Sequence, residues 1–232
     1  MISARRSITL LARVCLTGVA ALLAVGCATE THKALTPQTV ESAGIAYNGP
    51  KYKMIVGRFQ NRSDYMKGLF SDGADRLGNQ AKTILKTHLQ DTGRFVVMDR
   101  ENMEAIEEEA RIAGTRQKLT GAQVAITGDV TEFGRRNTGD TQLFGILGSG
   151  KKQTAYAKVA LDVVDVRTSE IVFAAQGAGE YALSDREVIG FGGTSGYDAT
   201  LNGKVLNLAI TEAVNALVRG LERGEWSPTG VN

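Results

Sequence analysis

Beyond an apolar leader, the chain falls into blocks whose hydrophobic period switches between that of a strand and that of a helix. Met54-Ile55-Val56-Gly57-Arg58-Phe59 is short, apolar and partly β-branched, and predicts a first core strand. From about Asp75 to Gln90, Leu77, Ala81, Ile84, Leu85 and Leu89 recur at helical spacing on one face, so a helix follows. Gly93 ends it, and Arg94 to Met98 reads as a second strand. Asp99 stands where an N-cap belongs, ahead of a second helix from Arg100 to about Ala113 with Met103, Ile106 and Ala110 inward. A third strand, Val124 to Val130, lies within Gly121 to Phe133. The clearest alternation comes next: Ala155, Ala157, Val159, Leu161 and Val163 share one face, Tyr156, Lys158, Ala160 and Asp162 the other. A turn at Arg167 to Glu170 leads into Ile171 to Ala175, completing a β-hairpin. The last element is a helix from about Val205 to Leu221. Its wide stripe of Leu206, Ala209, Ile210, Ala213, Val214, Leu217, Val218 and Leu221 must be buried. Gly224 stops it before Trp226.

This order predicts an α/β domain, a mixed sheet with packed helices, over residues 51–226, with a short tail at 227–232. Residues 27–50 are polar and aperiodic and read as a tether. Two Gly-rich excursions interrupt the domain at about 131–155 and 176–204. Each exceeds the roughly 12–15 residues that structureless loops reach in compact domains, so each should carry structure or purpose of its own.

The leader changes what the domain is for. Arg5 and Arg6 precede a nearly uncharged run from Ile8 to Val25, broken only by Arg13, which ends on small residues and Cys27. That is a secretory signal over residues 1–26 rather than a spanning helix. A cysteine at the first mature position predicts a bacterial lipoprotein, with Cys27 as the lipidation site, and Ala28 after it favours the outer membrane. The leader takes three arginines and no acid, so the remainder is close to neutral and offers no electrostatic case for nucleic acid. Cys15 leaves with the leader, which removes any intrachain disulfide or Cys-based metal site. His32 and His88 have no metal-ligand spacing, and His88 reads as a helix-border residue. No cofactor is expected beyond the covalent lipid on Cys27.

Candidate chemistry is thin. Gly145 to Lys152 nearly spells a phosphate loop, but Lys152 stands where Ser or Thr should bind the metal, and the next residues alternate as a strand. The Glu104 to Glu109 carboxylates read as a solvated helix face. No nucleophilic triad or dyad is assembled, and the chain is read as non-enzymatic.

Several stretches, in this order and spacing, resemble one family. They are Gln80 to Phe95, Asp99 to Met103, Ile126-Thr-Gly-Asp-Val130, Val163 to Ile171 and Gly220-Leu-Glu-Arg-Gly-Glu-Trp226. They are similar to the CsgG/HfaB family of outer-membrane lipoproteins over about residues 53–226. The resemblance implies a ring of periplasmic α/β domains, each lending two β-hairpins to one transmembrane barrel, where this chain has its excursions. It implies a homo-oligomer, lipid-anchored in the outer membrane and facing the periplasm, exporting a fibre or adhesin subunit without nucleotide. In that family the loop between first strand and first helix forms the constriction. Here that loop is Asn61 to Gly73. Tyr65 and Phe70 would line it, or else pack on the protomers themselves. Lipid-crossing strands need alternating apolar residues, and Gly134 to Gln142 has none in either register. Leu143, Phe144, Ile146 and Leu147 form an apolar patch suited to a hairpin tip or contact surface; in the second excursion Tyr181, Leu183, Ile189 and Phe191 share one parity, interrupted by Asp185 and Glu187. The alternative is a pore-less lipoprotein that binds or activates another envelope protein, as peptidoglycan-synthase activators with a related domain do.

Overall fold

The computed structural model describes residues 38–65, 75–141, 149–187 and 200–228. The elements are β1 (Tyr52–Asn61), α1 (Arg76–Asp91), β2 (Phe95–Val97), α2 (Met103–Ile112), β3 (Val124–Thr141), β4 (Ser149–Asp165), β5 (Ile171–Glu187) and α3 (Thr200–Glu222). They build the expected α/β layer. The sheet has order β2-β1-β3-β4-β5, with β1 parallel to β2 and β3, and antiparallel pairing from β3 through β5.

Alternation decides which sheet face is covered. Met54, Val56 and Phe59 of β1, Val124, Ile126 and Val130 of β3, and Ala157, Val159, Leu161 and Val163 of β4 are all buried. They meet Leu77, Ala81, Leu85 and Leu89 of α1 and the whole predicted stripe of α3. Burying each Val, Leu or Ile is worth roughly 1.5–3 kcal/mol, so this single layer of contacts carries most of the fold. Trp226 closes one end. Its indole N–H donates to the Leu217 carbonyl at 3.1 Å, and its ring stacks against Phe95 and Phe173 at 6.3 and 6.0 Å.

The closest packing is between α3 and β5, where two glycines let backbone meet backbone. A Cβ on Gly177 would lie 2.1 Å from the Ala209 carbonyl oxygen, and one on Gly179 would lie 2.6 Å from the Leu208 Cβ. Any side chain there would lift the helix from the sheet. At the opposite end of β5 the expected hairpin turn forms on Asp165, which accepts from the backbone N–H groups of Arg167 and Thr168 at 2.8 and 3.1 Å.

Three expectations need correction. First, the tether does not run to residue 50. Val40 and Ser42 are buried, and residues 38–47 form a strap along α3. Asn207 donates to the Gln38 carbonyl, and the Glu41 N–H donates to Asn215 Oδ1 at 3.0 Å. Buried Arg94 then binds the strap to the core. It donates to the carbonyls of Ser42, Ile45 and Thr92, pairs with Glu222 at 2.8 Å, and lies 4.8 Å over the Tyr47 ring. Polar composition hid this, because strap and core are joined by backbone carbonyls rather than by an apolar period.

Second, α2 begins at Met103, and Asp99 does not cap it. Asp99 instead accepts from the backbone N–H groups of Glu101 and Asn102 and from the Asn102 side chain, making a turn that ends where the helix starts. Third, Met103, Ile106 and Ala110 do not face a core. None of the residues of α2 is buried, because the helix-side face of the sheet is already filled by α1 and α3. What ties this segment down is Glu101, which accepts from both Lys82 and Lys86 of α1.

Two outcomes test this account. Gly177→Ala should cost about 3 kcal/mol in denaturant unfolding by overpacking, whereas Gly121→Ala, with open space at its Cβ, should be near neutral. The second concerns pH. Hydrogen bonds from Lys82 and Lys86 hold the Glu101 carboxyl below its ordinary value of 4.5. A depressed folded-state pKa stabilises fully above that value and is lost as pH falls through the folded one. Below pH 4.5 amide exchange should therefore quicken first in residues 99–112, and Glu101→Gln should produce the same effect at neutral pH.

Candidate functional site

The first excursion is not a separate element but the continuation of β3 and β4. β1 ends where Asn61 pairs with Val130. Beyond it β3 and β4 stay in register from Glu132↔Lys158 to Thr141↔Ser149, and β5 keeps pace from Ala178↔Lys158 to Glu187↔Ser149. The result is a three-stranded ribbon about 30 Å long, ten ladder positions at the rise of a strand. The second excursion supplies the third strand of this ribbon, and α3 begins at Thr200, earlier than the apolar stripe suggested. Among the described residues, no strand pairs with β3 beyond Val130 on the β1 side, or with the outer edge of β5.

The ribbon is polar along its length. β3 contributes Arg135-Arg-Asn-Thr-Gly-Asp-Thr141, β4 Ser149-Gly-Lys-Lys-Gln-Thr154, and β5 Ala182-Leu-Ser-Asp-Arg-Glu187. Lys151 and Lys152 of the near phosphate loop thus stand in a strand, with no helix following. At the ribbon's base, Lys158 pairs with Glu132 at 2.8 Å, and an open groove of about 810 Å³ runs past Arg136, Tyr156 and Glu180. Mixed charge and openness suit this groove to solvent and to protein contact rather than to enclosing a small substrate. Leu143, Phe144, Ile146, Leu147, Ile189 and Phe191 lie outside the described residues, as do Cys27 and Phe70.

Tyr65 is described, and it is packed within its own chain. Its ring lies 4.6 Å from Phe133 at the ribbon base, and Asn202 of α3 donates to its hydroxyl at 3.3 Å. Asn202 also accepts from Arg135 Nε at 2.9 Å, so one side chain joins the loop, the ribbon and the start of α3. The two ends of the loop are clasped together by Asp75. One carboxylate oxygen caps α1 by accepting from the Gly78 N–H at 2.7 Å; the other accepts from the Asn61 N–H at 2.7 Å. Asn61 in turn receives Ser63 and donates to the Tyr65 carbonyl at 2.9 Å. The loop following β1 therefore leaves and returns at one fixed point, beside the ribbon.

His88, read as a helix-border residue, is buried between α1 and α3. Its Nε2 lies 2.8 Å from Asn207 Oδ1 and 3.2 Å from Thr211 Oγ1, a polar link between two otherwise apolar faces. Asp75 could have been found from its place just ahead of an apolar helical period, where Asp is a preferred N-cap. Asn202 carries no such signal, since its role depends on two partners far away in sequence.

Residues 41–229 match the family model described as curli production assembly/transport component CsgG. A chain from Neisseria meningitidis serogroup B, provisionally named a lipoprotein, is 62% identical over 209 residues, covering 90% of this chain and 94% of its own. Among solved structures, the PelC dodecamer from Paraburkholderia phytofirmans is 12% identical with a TM-score of 0.34, covering 78% of this chain and 94% of its own. The LpoB C-terminal domain from Salmonella enterica is 14% identical with a TM-score of 0.31, covering 56% and 85%. Likenesses at these scores do not extend to function.

Removing the clasp tests the site's construction. Asp75→Ala should cost about 2 kcal/mol, the sum of a lost N-cap and a strand-end N–H left without its acceptor. Denaturant unfolding would measure this, and limited proteolysis should show faster cutting within residues 62–74.

Proposed function

The chain belongs to the CsgG family, and on that premise we propose that it is an outer-membrane lipoprotein of curli-type secretion and assembly. In this reading it is anchored through Cys27, faces the periplasm, and works as a homo-oligomer that exports a fibre or adhesin subunit without nucleotide. The family indicates no enzymatic activity. The observation that carries the proposal is the ribbon, whose two outer edges have no strand partner among the described residues. An unpaired edge of about ten residues is a template for another strand, and a chain with one on each side satisfies both by joining its copies head to tail. Closed around an axis, such a series removes every edge, which is the condition for a barrel.

The strap supports the same geometry. It runs antiparallel to α3, with Gln38 near Asn207 and Ser42 near Arg94, so its upstream end is aimed at the start of α3. That is the end where Asn202 meets the ribbon. A segment from Cys27 to Pro37 reaches at most roughly 40 Å when extended, enough to bring a lipid and the ribbon to one membrane surface. Within the proposal, the clasped loop after β1, with Tyr65 and Phe70, lies where the passage narrows.

One observation favours a second reading. No strand of the ribbon has an apolar alternate set, and Arg or Lys facing lipid costs roughly 2–4 kcal/mol at the midplane. A pore-less lipoprotein ring or monomer that binds another envelope protein, such as a peptidoglycan synthase, would keep that ribbon in water.

Electron microscopy of the detergent-extracted lipoprotein, with conductance in planar bilayers, separates the two. Rings that conduct ions are expected of the channel. Rings without conductance would leave the pore-less reading, and a monomer without conductance would sink the channel.

A further inference from the structure

Two Asn-Gly pairs occur in this chain, Asn48-Gly49 and Asn202-Gly203. Asparagine is chemically labile. It is most so ahead of glycine, because no side chain shields the next backbone nitrogen from the amide carbon. The fold treats the two pairs oppositely.

Asn202 and Gly203 lie within α3. The Asn202 side chain is held at both ends, accepting from Arg135 Nε at 2.9 Å and donating to the Tyr65 hydroxyl at 3.3 Å. Helical backbone also directs the Gly203 N–H along the axis toward the preceding turn, away from the Asn202 amide carbon. Asn48 and Gly49, by contrast, are exposed, lie outside helix and strand, and join the strap to β1. The Asn48 side chain has no hydrogen-bond partner among the described residues. Its neighbour also requires glycine. A Cβ on Gly49 would lie 2.4 Å from Tyr47 Cζ and Oη, so a larger residue there would have to move the ring. That ring is the one Arg94 covers at 4.8 Å, where the strap is bound to the core.

We propose that Asn48 is a site of spontaneous deamidation, a covalent modification selected by the fold and acting on the strap. The Gly49 nitrogen, its proton taken by hydroxide, attacks Asn48 Cγ. The new N–C bond forms, the Cγ–Nδ2 bond breaks, and the departing nitrogen takes a proton from water to leave as ammonia. Hydroxide is thereby regenerated. Water then opens the resulting succinimide at either carbonyl, giving aspartate or isoaspartate. In sum, water is consumed and ammonia released, and nothing is oxidised or reduced. Isoaspartate carries the main chain through the former side-chain carbon and so lengthens it by an atom. With Gly49 in contact with the Tyr47 ring, that lengthening displaces the ring from beneath Arg94 and loosens the strap.

The test incubates the full-length lipidated protein at mildly alkaline pH and reads each asparagine by peptide mass spectrometry. Enzymatic methylation of isoaspartate distinguishes the two products. Expected is loss of the amide at Asn48 while Asn202 keeps its own, and loss at both once the protein is unfolded in denaturant. Conversion of Asn202 as fast as Asn48 in the folded protein, or retention of both amides, would overturn the site. Hydrogen exchange reads the strap separately. Amide exchange in residues 38–47 should quicken as Asn48 converts. It should stay slow over the same incubation in Asn48→Gln, whose longer side chain closes the ring far less readily. Exchange that quickens equally in Asn48→Gln, or stays unchanged in converted wild type, would overturn the effect on the strap.

Discussion

The structure depends on how closely α3 lies on β5. At Gly177 and Gly179 the helix backbone rests on the strand backbone, at a separation that admits no side chain. That approach lets Val205, Ala209, Ile210, Ala213, Val214 and Leu217 reach past β5 to the buried row of β4. Were the helix held farther out, the apolar stripe would meet a gap, and interiors at native packing density do not tolerate gaps. The same contact positions the first residues of α3, and with them Asn202, against the base of the ribbon.

From that anchoring follows an asymmetric molecule. One end is a two-layer core closed by Trp226; the other is three strands that, among the described residues, continue beyond the helices. The core fixes their direction, and Arg135, Asn202 and Tyr65 tie the transition. Free edges on a strand are ordinarily a liability, and short edges or covering loops are the usual remedy. Here β2 at one side is short, while on both flanks of the ribbon about ten ladder positions have no strand partner among the described residues. Such edges have a physical rationale in the homo-oligomer proposed above.

The strap and the clasp serve the same end of the molecule. Arg94 holds the strap by carbonyls, and removal of this guanidinium would leave those carbonyls without a donor in a buried setting. Asp75 closes the loop after β1 at its base. Both devices convert a flexible connection into one of defined direction, and both point it toward the ribbon.

Much of the core was legible in the sequence because it is written in local periods. The alternation from Ala155 to Val163, the stripe of α3, the face of α1 and the turn on Asp165 all appear as read, since each needs only its own residues to declare an inside. Local pattern also carried the prospect of two structured excursions. It could not say that both belong to one ribbon, because pairing of β5 with β4 is a long-range choice of register. It erred on α2, whose apolar spacing promised a core that α1 and α3 had already filled. It missed the strap and Asn202 for the same reason: their partners are backbone carbonyls and polar atoms far along the chain, which leave no period behind. Composition and spacing thus determined the layer and the inward faces. Only the tertiary structure decided, among the described residues, which helix buries none of its side chains and where the chain's polar bonds gather, because those follow from what is already occupied in space.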